Sequence, residues 1–358
     1  MAYLQQELGI PSTAVAYYKG IAVLTSVKRL WYVYLFTFFS YLAYGSSSPY
    51  EPSQISSDQA FIIGKLMRAQ FKNREAQRYL KYAADNGSAN AAYLYAVELL
   101  VNHQDYRLKS ESRDYFLKAA NGGNRHAMKH LYQRATWLSE NERNLWKGRY
   151  YDTLIVLGKW EPGKACYELS EFHAKDDEEL SQYYLVKSIA LNYPRALMKQ
   201  ADKYMQGDGS FYLPGERETV IRKLYLSAAK LDYLPAIKIY IQLLEKNGQF
   251  KSALEWREKA LTLGDITSLA SLAFIYSGNH SQNYSFVDIN NIKAKAYSKL
   301  YVDHAGSESF IVLTEKIEEL YTNMLNKLSL EQLTYSSLIE SELEKNIEFY
   351  NYDAYWDI

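Results

Sequence analysis

Residues Lys203–Ala236, KYMQGDGSFYLPGERETVIRKLYLSAAKLDYLPA, decide the fold. The spacing predicts that a helix ends near Tyr204. Gly207 and Gly209 then supply the positive-φ backbone that turns a chain, and a loop runs through Pro214. A second helix closes on the small pair Ala228-Ala229, Asp232 opens a short turn, and Ala236 begins the next helix. Such a helix–turn–helix unit cannot bury its apolar face alone and needs copies of itself on either side.

The copies lie between Ala60 and Phe310. Each has an aromatic residue or Leu, a small pair, a turn residue, and four positions later a small residue that opens the next helix. They include Tyr79 with Ala83-Ala84, Gly87 and Ala91, and Tyr115 with Ala119-Ala120, Gly123 and Ala127. Others run Tyr184 with Ser188-Ile189, Asn192 and Ala196, then Ala228-Ala229, Asp232 and Ala236, then Trp256 with Ala260, Gly264 and Ser268. A degenerate copy surrounds Trp160, with Glu161 and Ala165, and a weak last copy runs from Tyr297 to Gly306 and Phe310. The turn anchors fall at 87, 123, 161, 192, 232, 264 and 306, so the intervals are 36, 38, 31, 40, 32 and 42. A period of this size with helical spacing inside each unit means an all-α solenoid.

Tyr204-Met-Gln-Gly207-Asp-Gly209, the variable loop, Leu224-Tyr225-Leu-Ser-Ala228-Ala229 and Ala236 resemble a Sel1-like repeat, a relative of the tetratricopeptide repeat with a longer, Gly-containing loop. The resemblance covers roughly residues 60 to 310 and is weak around Trp160. It implies a right-handed solenoid of about six to seven helix-turn-helix units, protein–protein contact and no catalysis. The array is placed at 60–306 and C-terminal capping helices with an acidic-aromatic tail at 307–358. Ser309–Leu328 reads helical, and Ser329-Leu-Glu-Gln332 is a capping-box start for a helix ending near Asn346. The tail, Phe349–Ile358, reads as a segment docked on the last repeat or as a partner-binding peptide.

The chain of 358 residues is 48% hydrophobic and 23% charged, enough for a large core and not disordered by composition. Lys+Arg and Asp+Glu are 41 each, so no overall field favours nucleic acid or an anionic membrane. Tyr is abundant at 35, suiting inter-helix seams and contact faces alike. Cys166 is the one cysteine, which excludes an internal disulfide, and its apolar helical neighbours imply a buried, inert thiol.

Lys28-Arg29, the uncharged Leu30–Tyr44 and the polar Ser46-Ser47-Ser48-Pro49 fit a secretory signal peptide cut after Gly45, followed by a linker over 46–59. The apolar core is shorter than the ~20 residues that span a bilayer comfortably. An uncleaved N-terminal anchor helix is the alternative, and it would confine membrane contact to this segment. Either reading places the folded part in a bacterial periplasm.

No catalytic motif is present. His126 and His130 share a helix face, but Ala127 stands where a zinc-hydrolase motif has Glu and no third ligand is apparent. Gly207-Asp-Gly209 follows a helix, not a strand, and is turn chemistry. Asp176-Asp177-Glu178-Glu179 lies at a helix start, where negative charge complements the dipole. No cofactor and no metal are expected. What remains is surface. In the implied superhelix the first helix of each unit lines the inner curve, and positions +2, +3 and +6 from its opening small residue avoid the apolar stripe. They include Tyr93, Lys129, His130, Tyr167, Glu168, Lys199, Asp202 and Lys238, a mixture of Tyr and charge common at interfaces. Secreted proteins of this resemblance include immunity proteins that neutralise phospholipase effectors of type VI secretion. The expectation is therefore an exported, non-enzymatic scaffold that occludes a toxin, or else a general periplasmic adaptor for envelope assembly or signalling.

Overall fold

The computed structural model describes residues 51–101, 106–279, 282–306 and 310–358. The chain divides into Met1–Ser47 and Ser48–Ile358, and everything below concerns the second unit. The expected signal peptide lies outside the described residues. Among the described residues no helix is long and apolar enough to cross a membrane.

Sixteen α-helices follow one another, and the first fourteen pair in order. The first pair is α1 (Ser57–Ala69) and α2 (Asn73–Asp85), then α3 (Ala89–Val101) with α4 (Tyr106–Asn121), and α5 (Arg125–Arg134) with α6 (Glu140–Leu157). Next come α7 (Pro162–His173) with α8 (Glu178–Ala190), and α9 (Pro194–Met205) with α10 (Glu216–Ala229). The last pairs are α11 (Leu234–Lys246) with α12 (Phe250–Thr262) and α13 (Ile266–Ser277) with α14 (Asn291–His304), followed by α15 (Ile311–Lys327) and α16 (Leu330–Asn346). Each helix of the first seven pairs packs on its pair mate and on its neighbours in sequence, while α15 and α16 both pack on α14 rather than chiefly on each other, which makes the fold an all-α solenoid of seven helix pairs closed by two C-terminal helices.

The repeated small pairs and turn residues explain the joints. At the end of α2, Gly87 N–H donates to the Ala84 carbonyl at 3.1 Å and Ser88 N–H to the Ala83 carbonyl at 3.0 Å. That is the double bond pattern of a Schellman cap, which needs one left-handed residue. Gly123, Asn192, Asp232 and Gly264 occupy the same place with φ of 91°, 56°, 58° and 88°. The Ala pairs beneath are fully buried, because only a methyl fits where neighbouring helices cross. Helix starts are capped as well: Ser56, Ser139 and Ser329 form capping boxes with Gln59, Glu142 and Gln332. The degenerate copy differs. Glu161 has φ −128° and ψ 68° instead of a left-handed turn, Pro162 starts α7, and Trp160 is left exposed. The loop after α9 is held by Arg217, whose guanidinium donates to the carbonyls of Tyr204, Asp208 and Gly209 at 2.6, 2.8 and 3.1 Å.

The core is strung along the array in three clusters. One runs from Ala60 to Leu169, a second from Leu197 to Ala260, and a third from Leu261 to Phe349. The array also curves until its two ends touch. Gly306, after α14, donates its N–H to the Gln70 carbonyl at 2.6 Å, and Lys72 Nζ donates to the Asp303 carbonyl at 3.0 Å. Phe71 meets Phe310 edge to face with ring centres 5.2 Å apart. Gly306 is there for closeness: a Cβ on it would stand 2.2 Å from the Phe71 carbonyl oxygen.

The tail docks on the last repeat, as one of its two readings expected, but also reaches the first pair. Phe349 is fully buried among the last helices. Tyr350 pairs as an isolated parallel bridge with Asp265, through Tyr350 N–H to the Gly264 carbonyl at 2.8 Å and Ile266 N–H to the Tyr350 carbonyl at 3.0 Å. Asn351 N–H then donates to the Ala69 carbonyl at 2.8 Å, and the Gln70 amide donates to the Phe349 carbonyl at 2.7 Å. The tail thus ties the first helix pair to the seventh.

Candidate functional site

The first helices of successive pairs, α3, α5, α7 and α9, converge on two adjoining cavities. One, of about 260 Å³, is lined by Tyr93, His126, Lys129, His130, Gln133, Arg134, Tyr167, Glu168, Glu171 and Arg195, and by Ala354 and Tyr355 of the tail. The other, of about 420 Å³, is lined by Tyr167, Glu171, Arg195, Met198, Lys199, Asp202, Lys203, Gln206 and Tyr233. Tyr167, Glu171 and Arg195 belong to both. Seven of the eight residues singled out by helical position line these cavities. Lys238 lies further along, its Nζ 3.3 Å from the buried Asp265 carboxylate and 3.5 Å from the Asn351 side-chain oxygen.

Two of the seven do not stand clear of the packing as their positions suggest. Tyr93 is buried, its ring 5.8 Å from both Phe116 and His126 and 6.3 Å from Tyr355. Glu168 is buried because it accepts from Arg125 Nε at 3.2 Å and from the Tyr150 hydroxyl at 3.1 Å, so it ties α5, α6 and α7 together. In both cases curvature brings neighbouring first helices close enough to share side chains. The others are half-buried. His130 stacks on Phe116 with ring centres 3.8 Å apart. Lys199 pairs with Glu171 and lies over the Tyr167 ring, while Asp202 accepts from the Tyr225 hydroxyl.

Burial sets the electrostatics here. It pushes the His126 imidazole down to about 3, with Arg125, Lys164, Lys129 and Arg195 adding to the effect. Burial likewise lowers His130 to about 4, with a contribution from Arg134. Both rings are therefore neutral at pH 7, and the His126 Nε2 is buried with no hydrogen-bond partner. Burial raises the hydroxyls of Tyr167 and Tyr193 above the usual tyrosine value. Among the described residues no group of His, Cys, Asp and Glu side chains is arranged to hold a metal ion. Cys166 is only half-buried, and burial raises its thiol. The arrangement offers aromatic faces, fixed cations and carboxylates rather than a reactive pair.

Arg195, Glu171 and Tyr233 line the cavities without having been singled out. Glu171 stands at +6 from Ala165, a position the counting rule does sample. Arg195 precedes its helix's opening small residue, and Tyr233 lies in the turn before α11, places that rule does not sample. It also missed the tail. Arg68 bonds Asp353 at 2.6 Å and lies 4.6 Å below the Tyr355 ring, while Arg195 lies 3.5 Å from the Asp357 carboxylate. Tyr352 meets Tyr233 edge to face at 5.3 Å.

No protein-family model matches the chain, and no curated protein matches it. Solved structures similar to it include a protective antigen present in uropathogenic Escherichia coli strains and displaying an SLR fold. The two are 16% identical with a TM-score of 0.39, over 83% of this chain and 62% of that one, so this chain spans less than two thirds of its length. A Sel1 repeat protein from Oxalobacter formigenes is 14% identical with a TM-score of 0.33, over 84% of this chain and 99% of that one. The helix pairs themselves define the solenoid.

Proposed function

We propose that this protein is an exported, non-catalytic scaffold that holds a protein partner on the face formed by the first helices of its pairs. The observation that carries this reading is the convergence of Tyr93, Lys129, His130, Tyr167, Glu168, Lys199 and Asp202, from four successive pairs, on two adjoining cavities. Tyr and Arg anchors among mixed charges are the composition of binding hot spots, and a scaffold held by buried ion pairs loses little ordering entropy on binding. The partner in this proposal is a secreted toxin, a phospholipase-type effector of type VI secretion, neutralised by stoichiometric occlusion. The periplasmic location rests on the Lys28–Gly45 segment of the sequence.

The test is capture of partners by the native chain and by a Lys129→Glu/Lys199→Glu variant, followed by mass spectrometry. One stoichiometric toxin, retained by the native chain, lost by the variant, and harmless to cells that co-express the native chain, is the expected result. A spread of envelope proteins would replace the toxin with the general adaptor role. Equal capture by both proteins would remove the cavities from the interface.

A further inference from the structure

The segment Asn351–Ile358 runs along the concave face as a ligand would. Its backbone pairs at one end with Ala69, and its side chains then alternate between aromatic and acidic contacts. The groove answers each. Arg68 takes Asp353 and the Tyr355 face, Lys65 lies 4.8 Å over the Trp356 ring, Arg195 faces Asp357, and Tyr233 receives Tyr352. Burial lowers the Lys65 ammonium, opposed by Asp357 and Asp353, so its charge is set against the tail's carboxylates. Cations from α1 and α9, many positions apart in sequence, thus face one acidic, aromatic segment, which turns at Ala354–Asp357 through the Trp356 N–H to Asp353 carbonyl bond at 3.2 Å. Ala354 and Tyr355 wall the smaller cavity, so the segment covers only part of the face that the proposed scaffold would offer.

We propose that this groove recognises a short protein segment rich in Tyr or Trp and Asp, carried by the partner, and that Asn351–Ile358 occupies it until that segment displaces it. The proposal rests on the scaffold reading and specifies the chemistry of the bound segment. Once Asn351 leaves, main chain of the incoming segment can donate to the buried Ala69 carbonyl, aromatic rings fill the places beside Tyr93 and Tyr233, and carboxylates reach Arg68 and Arg195. A tethered competitor acts at an effective concentration on the order of mM. A tail whose own intrinsic affinity is micromolar therefore weakens apparent binding of a free segment by about three orders of magnitude. Displacement would also break the Asn351–Ala69 link, one of the bonds joining the ends of the array, so binding in the groove is coupled to closure.

The experiment uses the full chain and a dye-labelled synthetic peptide of residues 349–358, followed by fluorescence anisotropy. The native chain is compared with a full-length Asp353→Lys/Tyr355→Ala variant, whose own tail has lost its Arg68 and Tyr93 contacts. The variant is expected to bind the peptide at least tenfold more tightly (effective-concentration arithmetic), and a peptide with Asp353→Lys and Asp357→Lys is expected to bind neither protein. Equal binding by both proteins, or no binding by the variant, overturns the proposal. A variant that elutes as a dimer overturns it too, by assigning the groove to a second copy's tail. Should the double variant fail to fold, Trp356→Ala, which touches only Lys65 and the 3.9 Å stack on Tyr350, carries the same comparison. Failure of peptide exchange while Lys129→Glu/Lys199→Glu still abolishes partner capture would leave the scaffold standing and remove the tail's role.

Discussion

Gly306→Ala tests whether the two ends of the array are closed by contact. Gly306 is not among the residues with positive φ, so alanine brings no backbone strain of its own. The cost comes from where the methyl lands: 2.2 Å from the Phe71 carbonyl oxygen, 2.5 Å from the Phe71 carbonyl carbon and 2.9 Å from the Lys72 nitrogen. These are backbone atoms at a helix corner, and no rotamer change relieves them. Either the corner moves or the seventh pair does. Forcing a methyl into such a space costs about 1–3 kcal/mol. Retreat also loses the Gly306–Gln70 bond at 2.6 Å and the Lys72–Asp303 bond at 3.0 Å, each with a net worth of roughly 1 kcal/mol. A loss of about 3–5 kcal/mol follows, a fall in Tm of roughly 4–8 °C for a chain of this size. Thermal unfolding followed by circular dichroism reads the first number, and amide exchange in α2 reads where the loss occurs. Gly148→Ala is the control: no atom lies within 4 Å of its Cβ on exposed α6, so it is expected to gain about 0.5–1 kcal/mol. A Gly306→Ala protein that melts within about 1 °C of the native one, with α2 protected as before, would refute closure through this corner.

Glu168→Ala is expected to destabilise by about 3 kcal/mol, since it leaves Arg125 and the Tyr150 hydroxyl without their buried partner; Asp176→Ala, from an exposed pair with Lys147, is expected to leave the unfolding midpoint where it is. Urea midpoints read both, and equal effects would mean that burial of the Glu168 cluster is not what holds α5 to α7. His126 gives a pH dependence: the folded ring is held near 3 while the unfolded one titrates near 6.5, so the unfolded state takes up the proton first and stability falls as pH drops below about 6.5. The loss from this group reaches about 2 kcal/mol at pH 5, and His126→Gln should remove it; a variant with the same difference in stability between pH 7 and pH 5 would place the acid sensitivity elsewhere.

Local pattern made much of this protein legible. The Gly and Ala spacing around Ala83-Ala84, Ala119-Ala120 and Ala228-Ala229 specified helix ends and crossings, because a Schellman cap and a close crossing each depend on a few adjacent residues. The capping box at Ser329 likewise located the last helix to the residue. Position counting on the first helices reached the residues of the cavities, since one face of a helix repeats at a fixed interval. It did not reveal that Tyr93 and Glu168 are buried, as burial there depends on how far adjacent first helices lean together.

What only the tertiary structure decided is closure and the path of the tail. Gln70 meets Gly306, and Arg68 meets Asp353 across 285 positions, with no periodicity to link them. Curvature is the sum of small rotations between successive pairs, and each is set by side-chain packing at a single crossing. A repeat pattern fixes that the units stack. Whether seven of them turn far enough to bring the first corner against the last, and leave a groove that eight residues can fill, is a property of the whole array.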